Sequence, residues 1–276
     1  MNQATRHTLD DLLTLMAVLR DPEQGCPWDV KQDWDTIVPH TIEEAFEVAD
    51  AIERRAFDEL PGELGDLLFQ VVYYSQFGRE EGRFDFHDVV DALTRKMLSR
   101  HPHVFPDGTL ASRRQGISAA HVETGRVNSR WEALKAEERS ARDATSVLAD
   151  IPRTLPALAR AAKLTKRAAR VGFDWPDTRG VMAKIREELD EVEEALDADE
   201  IEHAREEVGD LLFAVVNLAR RLKADPEQML RATNAKFERR FGHVERALAQ
   251  SGRSPGEASL EEMDGHWNDA KHLERS

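Results

Sequence analysis

Apolar residues recur along this chain at helical intervals. Leu12, Leu13, Leu15, Met16 and Leu19 make one stripe; Leu64, Leu67, Leu68, Val71 and Val72 make a second; Val208, Leu211, Leu212, Val215, Val216 and Leu222 make a third. Steps of three and four residues put each set on one side of an α-helix. The period-two alternation of a half-buried strand is nearly absent, and two Tyr with 7% aromatic residues give little material for a β-rich core. The predicted class is all-α. Two stretches interrupt the pattern. Pro106 to Gly125 mixes turn formers with charges and is expected to be a mobile surface loop. Asp150 to Pro156, with Pro152 and Pro156, follows a charged helix expected to end near Arg142 and reads as an interdomain linker. The expected domains are therefore residues 1–148 and 149–276.

Composition narrows the function. The 276 residues suffice for one large or two ordinary domains, and 41% apolar with 33% charged residues is a globular, helix-rich balance. Lys and Arg number 38 against 53 Asp and Glu, a net charge of −15. A binder of duplex nucleic acid carries a basic footprint, so that class is disfavoured. Anionic substrates remain open where a divalent cation mediates the contact. The single cysteine, Cys26, excludes an intrachain disulfide and suits a reducing compartment. No apolar run approaches membrane-spanning length, and Met1 to Asp11 lacks the apolar core of a signal peptide. A cytoplasmic protein without a membrane partner is the expectation.

The two halves repeat one another. Gly65-Asp66-Leu67-Leu68-Phe69 returns as Gly209-Asp210-Leu211-Leu212-Phe213, an offset of 144. The same offset carries Glu43, Glu44 and Glu47 onto Glu187, Glu188 and Glu191, and Glu63 onto Glu207. Lys96 and Arg100 answer Lys236 and Arg240, and Trp131 with Lys135 answers Trp267 with Lys271. On a helix, residues three apart share a face, so Glu188 and Glu191 project together, as do Glu207 and Asp210. The chain between the two helices is long enough for a turn, and antiparallel packing through Leu189, Val192 and Leu196 against Val208, Leu211, Leu212 and Val215 would bring the four carboxylates together. Four like charges in a partly buried place demand protons or cations, and an all-oxygen set suits Mg²⁺ or Mn²⁺ rather than zinc. Glu44, Glu47, Glu63 and Asp66 form a second candidate set in the N-terminal half. In a chain with 53 acids an isolated Glu-Glu-x-x-Glu is usually a solvated helix face; its recurrence at fixed spacing beside the same Gly-Asp-Leu-Leu-Phe sets it apart. Lys236 and Arg240 lie one helical turn apart, as do Trp267 and Lys271. Cations and an aromatic beside a carboxylate-bound metal suit a polyphosphate carrying a stackable base.

These motifs resemble those of the MazG family of nucleoside triphosphate pyrophosphohydrolases. The resemblance rests on the doubled Glu-Glu-x-x-Glu and Gly-Asp-Leu-Leu-Phe motifs, on His101 to Phe105, Lys236 to Phe241 and Gly25 to Asp29, and runs from about Leu9 to Lys271. The Pro106 to Gly125 loop is longer than the family's usual form. The resemblance implies two tandem four-helix-bundle units of the all-α NTP pyrophosphatase type and an intertwined homodimer. It also implies Mg²⁺-dependent hydrolysis of NTPs and dNTPs to the monophosphate and pyrophosphate. By the family pattern Glu188, Glu191, Glu207 and Asp210 hold magnesium and Lys236 and Arg240 contact phosphates. Trp267, Lys271, Lys184 and Asn217 line the nucleotide pocket, and the C-terminal unit is the catalytic one.

The residues give their own reason to prefer that half. Where the C-terminal unit has Lys184 and Asn217, the N-terminal unit has His40 and Tyr73. Thr41 and Glu44 also read as a capping box that would engage Glu44, leaving the N-terminal unit degenerate or regulatory. No Ser/His/Asp or Cys/His arrangement recurs, so water is the expected nucleophile, with Glu187 or Glu188 accepting its proton. The rival reading is a non-catalytic acidic helical dimer that binds nucleotides or a partner protein.

Overall fold

The structure, a computed structural model, describes residues 6–116 and 146–274. The regular structure among the described residues is entirely helical. Two compact units divide the chain, Met1–Lys135 and Ala136–Ser276. Trp131, Lys135, the segment ending near Arg142 and the end of the Pro106 to Gly125 loop lie outside the described residues. Over Pro106–Gly116 the chain makes a short 3₁₀ turn, Leu110–Ser112, supported by Thr109 and Asp107.

The first unit contains α1 (Leu9–Leu19), the single turn α2 (Pro27–Val30), α3 (Trp34–Glu53), α4 (Leu60–Glu80) and α5 (Phe86–Arg100). Thr8 opens α1 through a reciprocal capping box with Asp11, and Asp85 opens α5 the same way with Asp88. Met16, Ile37, Val72, Tyr73, Phe77 and Phe86 form its core, with Leu12, Leu13, Trp34, Phe69 and Tyr74 packed around them. Trp34 stacks on Tyr74 at 5.8 Å and meets Phe77 edge-on at 5.4 Å. Most of the core's aromatics thus come from α4 from Phe69 onward, leaving the N-terminal part of α4 to carry Glu63 and Asp66.

One helix boundary differs from the expectation. Thr41 is not an N-cap. α3 begins seven residues earlier, at Trp34, capped by Asp33, whose carboxylate accepts from the backbone N–H of Asp35 and Thr36. Pro39 lies inside the helix and forgoes one backbone hydrogen bond without ending it. The Thr41 hydroxyl bonds back to the Ile37 carbonyl and to the Tyr74 hydroxyl, leaving Glu44 uncommitted to any cap.

The second unit contains α6 (Ala157–Arg170), α7 (Thr178–Asp197), α8 (Ile201–Arg221), α9 (Pro226–Gln250) and α10 (Leu260–Leu273). Asp177, Asp225 and Ser259 cap α7, α9 and α10. Before α6, the Val147 and Ala149 carbonyls accept from Arg167, which ties down the chain entering this unit. α7 and α8 are joined by a tight turn that places Asp199 at φ 60°, and the equivalent turn between α3 and α4 places Arg55 at φ 62°. A left-handed residue is uncommon outside glycine, so its recurrence at the same point marks the two hairpins as copies of one motif.

The apolar stripes of α7 and α8 do not all face inward as expected. Val192, Ala195 and Ala204 are buried, but Leu189, Leu196, Val208, Leu212 and Val215 are exposed. Small residues at the seam let the helices approach closely, and the larger side chains are left along the outside.

Candidate active site

Glu188 projects from the middle of α7 and is buried, with 5% of its surface exposed. Glu207 and Asp210 project from the first half of α8, three residues apart and so on one face. The hairpin brings an oxygen from each of these three carboxylates within 4.8 Å of the others. Glu191 stands outside this group. It is one turn further along α7, and loss of solvent followed by the facing Glu207 carboxylate pushes its carboxyl above the usual glutamate range. Of the four acids expected to converge, three do so and the fourth borders them.

The N-terminal hairpin repeats the arrangement. Glu44, Glu63 and Asp66 come within the same 4.8 Å, with Glu47 outside the group. Burial, then the Asp66 carboxylate and Glu47, hold the Glu44 carboxyl above its ordinary value. Both clusters consist only of carboxylate oxygens, gathered within 4.8 Å of one another. A hard divalent cation is the partner such a donor set takes.

What surrounds the two clusters differs. In the second unit Lys184 lies one turn before Glu188 and reaches both Glu187, at 2.7 Å, and Glu188, at 2.8 Å. These contacts hold its ammonium well above the usual lysine range. On the other side His203 Nε2 meets Glu207 Oε1 at 3.0 Å. Sequence reasoning passed over His203, although a histidine four residues before an acid on one helix is a readable pair. The corresponding residue of the first unit, Glu59, instead binds Arg54 at 2.7 Å.

Asn217 is buried seven residues beyond Asp210, on the same side of α8. Its carbonyl oxygen accepts from Arg220 Nε at 2.8 Å, and Arg220 Nη2 donates to Asp174 Oδ1 at 2.6 Å. Arg221 holds the other Asp174 oxygen at 3.2 Å. Asn217 is thus clamped by a network that also anchors the loop before α7. That loop packs tightly: Trp175 lies where a Cβ on Gly180 would come within 2.4 Å of its ring, so glycine is required there. Burial alone would raise the Asp174 carboxyl, but the two guanidiniums outweigh it and hold it below the usual aspartate range. A depressed carboxyl contributes stability above its unfolded pKa and loses it as pH falls through the folded value. Arg220→Met should accordingly lower unfolding stability at neutral pH by roughly 1–3 kcal/mol. It should also flatten the acid limb of the stability profile, both read by denaturant titration across pH.

The remaining expected residues form a separate group on α9 and α10. Arg240 donates to Glu274 Oε2 at 2.7 and 2.9 Å and lies over the Trp267 ring at 5.7 Å. Trp267 packs on Phe237 at 5.1 Å, and Lys271 donates to Asn268 at 3.1 Å. Lys236 is half-buried one turn before Arg240. Phe237, Phe241, Val244, Leu260, Met263 and Trp267 line an open apolar groove of about 240 Å³.

The sequence model of the MazG nucleotide pyrophosphohydrolase domain matches the chain twice, at residues 32–105 and 177–245, spanning both acidic hairpins. The nucleoside triphosphate pyrophosphohydrolase of Escherichia coli (strain K12) is 49% identical over 268 residues, 96% of this chain and 98% of that one. The nucleoside triphosphate pyrophosphohydrolase/pyrophosphatase MazG of Thermotoga maritima is 40% identical over 262 residues, 95% of each. A nucleoside triphosphate pyrophosphohydrolase of Mycolicibacterium smegmatis is 31% identical over 167 residues, 60% of this chain and 47% of that one.

Proposed function

The chain belongs to the MazG nucleotide pyrophosphohydrolase family, and from that membership we propose that it hydrolyses NTPs and dNTPs to the monophosphate and pyrophosphate, with Mg²⁺ or Mn²⁺ as cofactor. The catalytic unit is the C-terminal one, residues 149–276, and residues 1–148 form the companion unit. One observation carries this reading: Glu188, Glu207 and Asp210 converge within 4.8 Å beside Lys184.

Glu188, Glu207 and Asp210 would hold the cation, with Glu191 completing the set from the edge. A bound divalent ion supplies charge neutralisation of the triphosphate and a more acidic water for in-line attack at the α-phosphorus. Glu187 or Glu188 accepts the proton of that water, since both carboxylates meet Lys184 at the same point on α7. Lys184, already poised between them, exchanges a carboxylate contact for a phosphate oxygen. Lys236 and Arg240 balance the charge of the departing pyrophosphate. Trp267, at the edge of the apolar groove, offers a stacking face for the base, with Lys271 beside it. Asn217, clamped by Arg220, supplies a fixed amide to the nucleotide.

We place the working enzyme in a homodimer. Arg240 contacts Glu274 and Trp267 contacts Phe237 within the same chain, and the large apolar residues of α7 and α8 are left facing outward. A second copy laid on that face would cover it. The cytoplasm is the proposed location, in keeping with one free cysteine and with the fact that no described helix is long and apolar enough to cross a membrane.

The test is a panel of NTPs and dNTPs incubated with the full chain in Mg²⁺, in Mn²⁺ and in EDTA, with pyrophosphate and orthophosphate measured separately. Pyrophosphate release that EDTA abolishes is expected. Orthophosphate as the first product would indicate a γ-phosphatase, and nucleotide binding without turnover would favour the non-catalytic acidic dimer.

A further inference from the structure

Glu274 stands where its own helix gains nothing from it. It is the C-cap residue of α10, and a carboxylate there meets the negative end of the helix dipole. Its partners lie on α9 instead. Glu274 Oε2 accepts from both Nε and Nη2 of Arg240, at 2.9 and 2.7 Å, and Oε1 accepts from Arg239 Nη2 at 3.4 Å. Hydrogen bonds from Arg240 outweigh the loss of solvent and, with the charges of both guanidiniums, hold the Glu274 carboxyl below the usual glutamate range.

Arg240 is gripped on two sides. Glu274 takes the Nε edge of the guanidinium, and the Trp267 ring centre lies 5.7 Å from its central carbon. Trp267 is itself braced by Phe237 at 5.1 Å. The remaining nitrogen, Nη1, donates to no group among the described residues and reaches solvent. A guanidinium has more than one edge that fits an oxyanion. Here the carboxylate takes one and leaves the outer one clear.

We propose that Glu274 is a positioning residue, which aligns the Arg240 guanidinium so that its Nη1 edge meets a phosphate oxygen of the substrate. The proposal rests on the reading above, in which Arg240 contacts the triphosphate. Arginine is long and rotamer-rich, and fixing it before the substrate arrives removes that ordering cost from binding. The same contact could instead be a competitor, a carboxylate that occupies Arg240 until phosphate displaces it. Engagement through a single oxygen on the Nε side favours alignment, because it does not cover the edge that phosphate would use. The sequence repeats the set: Trp131, Lys135 and Glu138 have the spacing of Trp267, Lys271 and Glu274, and Arg100 answers Arg240. Glu138 lies outside the described residues.

Two measurements on the full chain test this: calorimetric binding of inorganic triphosphate in Mg²⁺, and the kcat and KM of pyrophosphate release. Glu274→Ala should raise the triphosphate Kd and the KM roughly tenfold. Glu274→Gln, which keeps an accepting oxygen, should restore most of the affinity. A double-mutant cycle separates positioning from a general structural role. In an Arg240→Ala background, Glu274→Ala should add less than about twofold, since a residue acting through Arg240 has nothing left to align. Circular dichroism checks that each variant is helical; if Glu274→Ala fails to fold, Glu274→Asp, which draws the oxygen back by one methylene, serves in its place. Unchanged or tighter triphosphate binding in Glu274→Ala overturns the proposal, as do losses that add in the cycle. A wild-type chain that bound triphosphate in this pattern but released no pyrophosphate would refute the enzymatic reading and leave Glu274 in its role.

Discussion

Glu188→Gln and Asp210→Asn should each cut pyrophosphate release from an NTP by about a hundred- to a thousandfold, equivalent to roughly 3–4 kcal/mol of transition-state stabilisation. The helical content should stay unchanged. Both substitutions keep size and hydrogen-bonding capacity and remove one negative charge from the group of three within 4.8 Å. The two should fail differently. Asp210 is exposed, so its loss chiefly weakens cation affinity and raised Mg²⁺ should restore part of the rate. Glu188 is buried against Lys184, so its loss also frees that ammonium and removes a candidate proton acceptor, and added Mg²⁺ should restore little. Steady-state kinetics over a Mg²⁺ titration separates the two. Stability is expected to hold or rise in both, because diluting a crowd of like charges relieves repulsion. Wild-type rates in either variant would exclude this hairpin as the active site.

How much of this could be read along the chain depends on how local each interaction is. The doubled Gly-Asp-Leu-Leu-Phe and the carboxylates three apart are local, and helical periodicity carries them directly into two acidic hairpins. Thr41 misleads because an acceptor followed three residues later by an acid looks like a helix start, while the stronger cap is Asp33 and Pro39 is tolerated inside the helix. The clamp joining Asn217 and Arg220 to Asp174 bridges more than forty residues and leaves no periodic trace. Glu274 is inconspicuous for another reason. One acid among 53 reads as a solvated position until the fold sets it against Arg240.

The apolar stripes carry the same lesson, and their misreading has the widest consequence. Leu189 and Leu196 lie seven apart on α7, and Val208, Leu212 and Val215 step by four and three along α8. Periodicity identifies the stripes and says nothing of which surface covers them. Leu196 and Leu212 are more than half exposed, at 53% and 55%. Ile42, Phe46, Leu64 and Leu68 of the first unit are also exposed, so the feature is repeated along with the acids. Exposed large aliphatics in contiguous stripes mark a surface that is covered by something else, and each one fully buried contributes roughly 1.5–3 kcal/mol. A second copy of the chain supplies an identical stripe, which suits a two-fold contact. Leu212→Lys/Val215→Lys would set charges against their own symmetry mates across that contact. Light scattering should then show the 31.3 kDa single chain, against twice that mass for the wild type. Pyrophosphate release should fall with it, because Arg240, Lys271 and Trp267 engage Glu274, Asn268 and Phe237 rather than the acids of their own hairpin. A variant that turned monomeric with full activity would place the whole site in one chain, and a monomeric wild type would remove the dimer altogether.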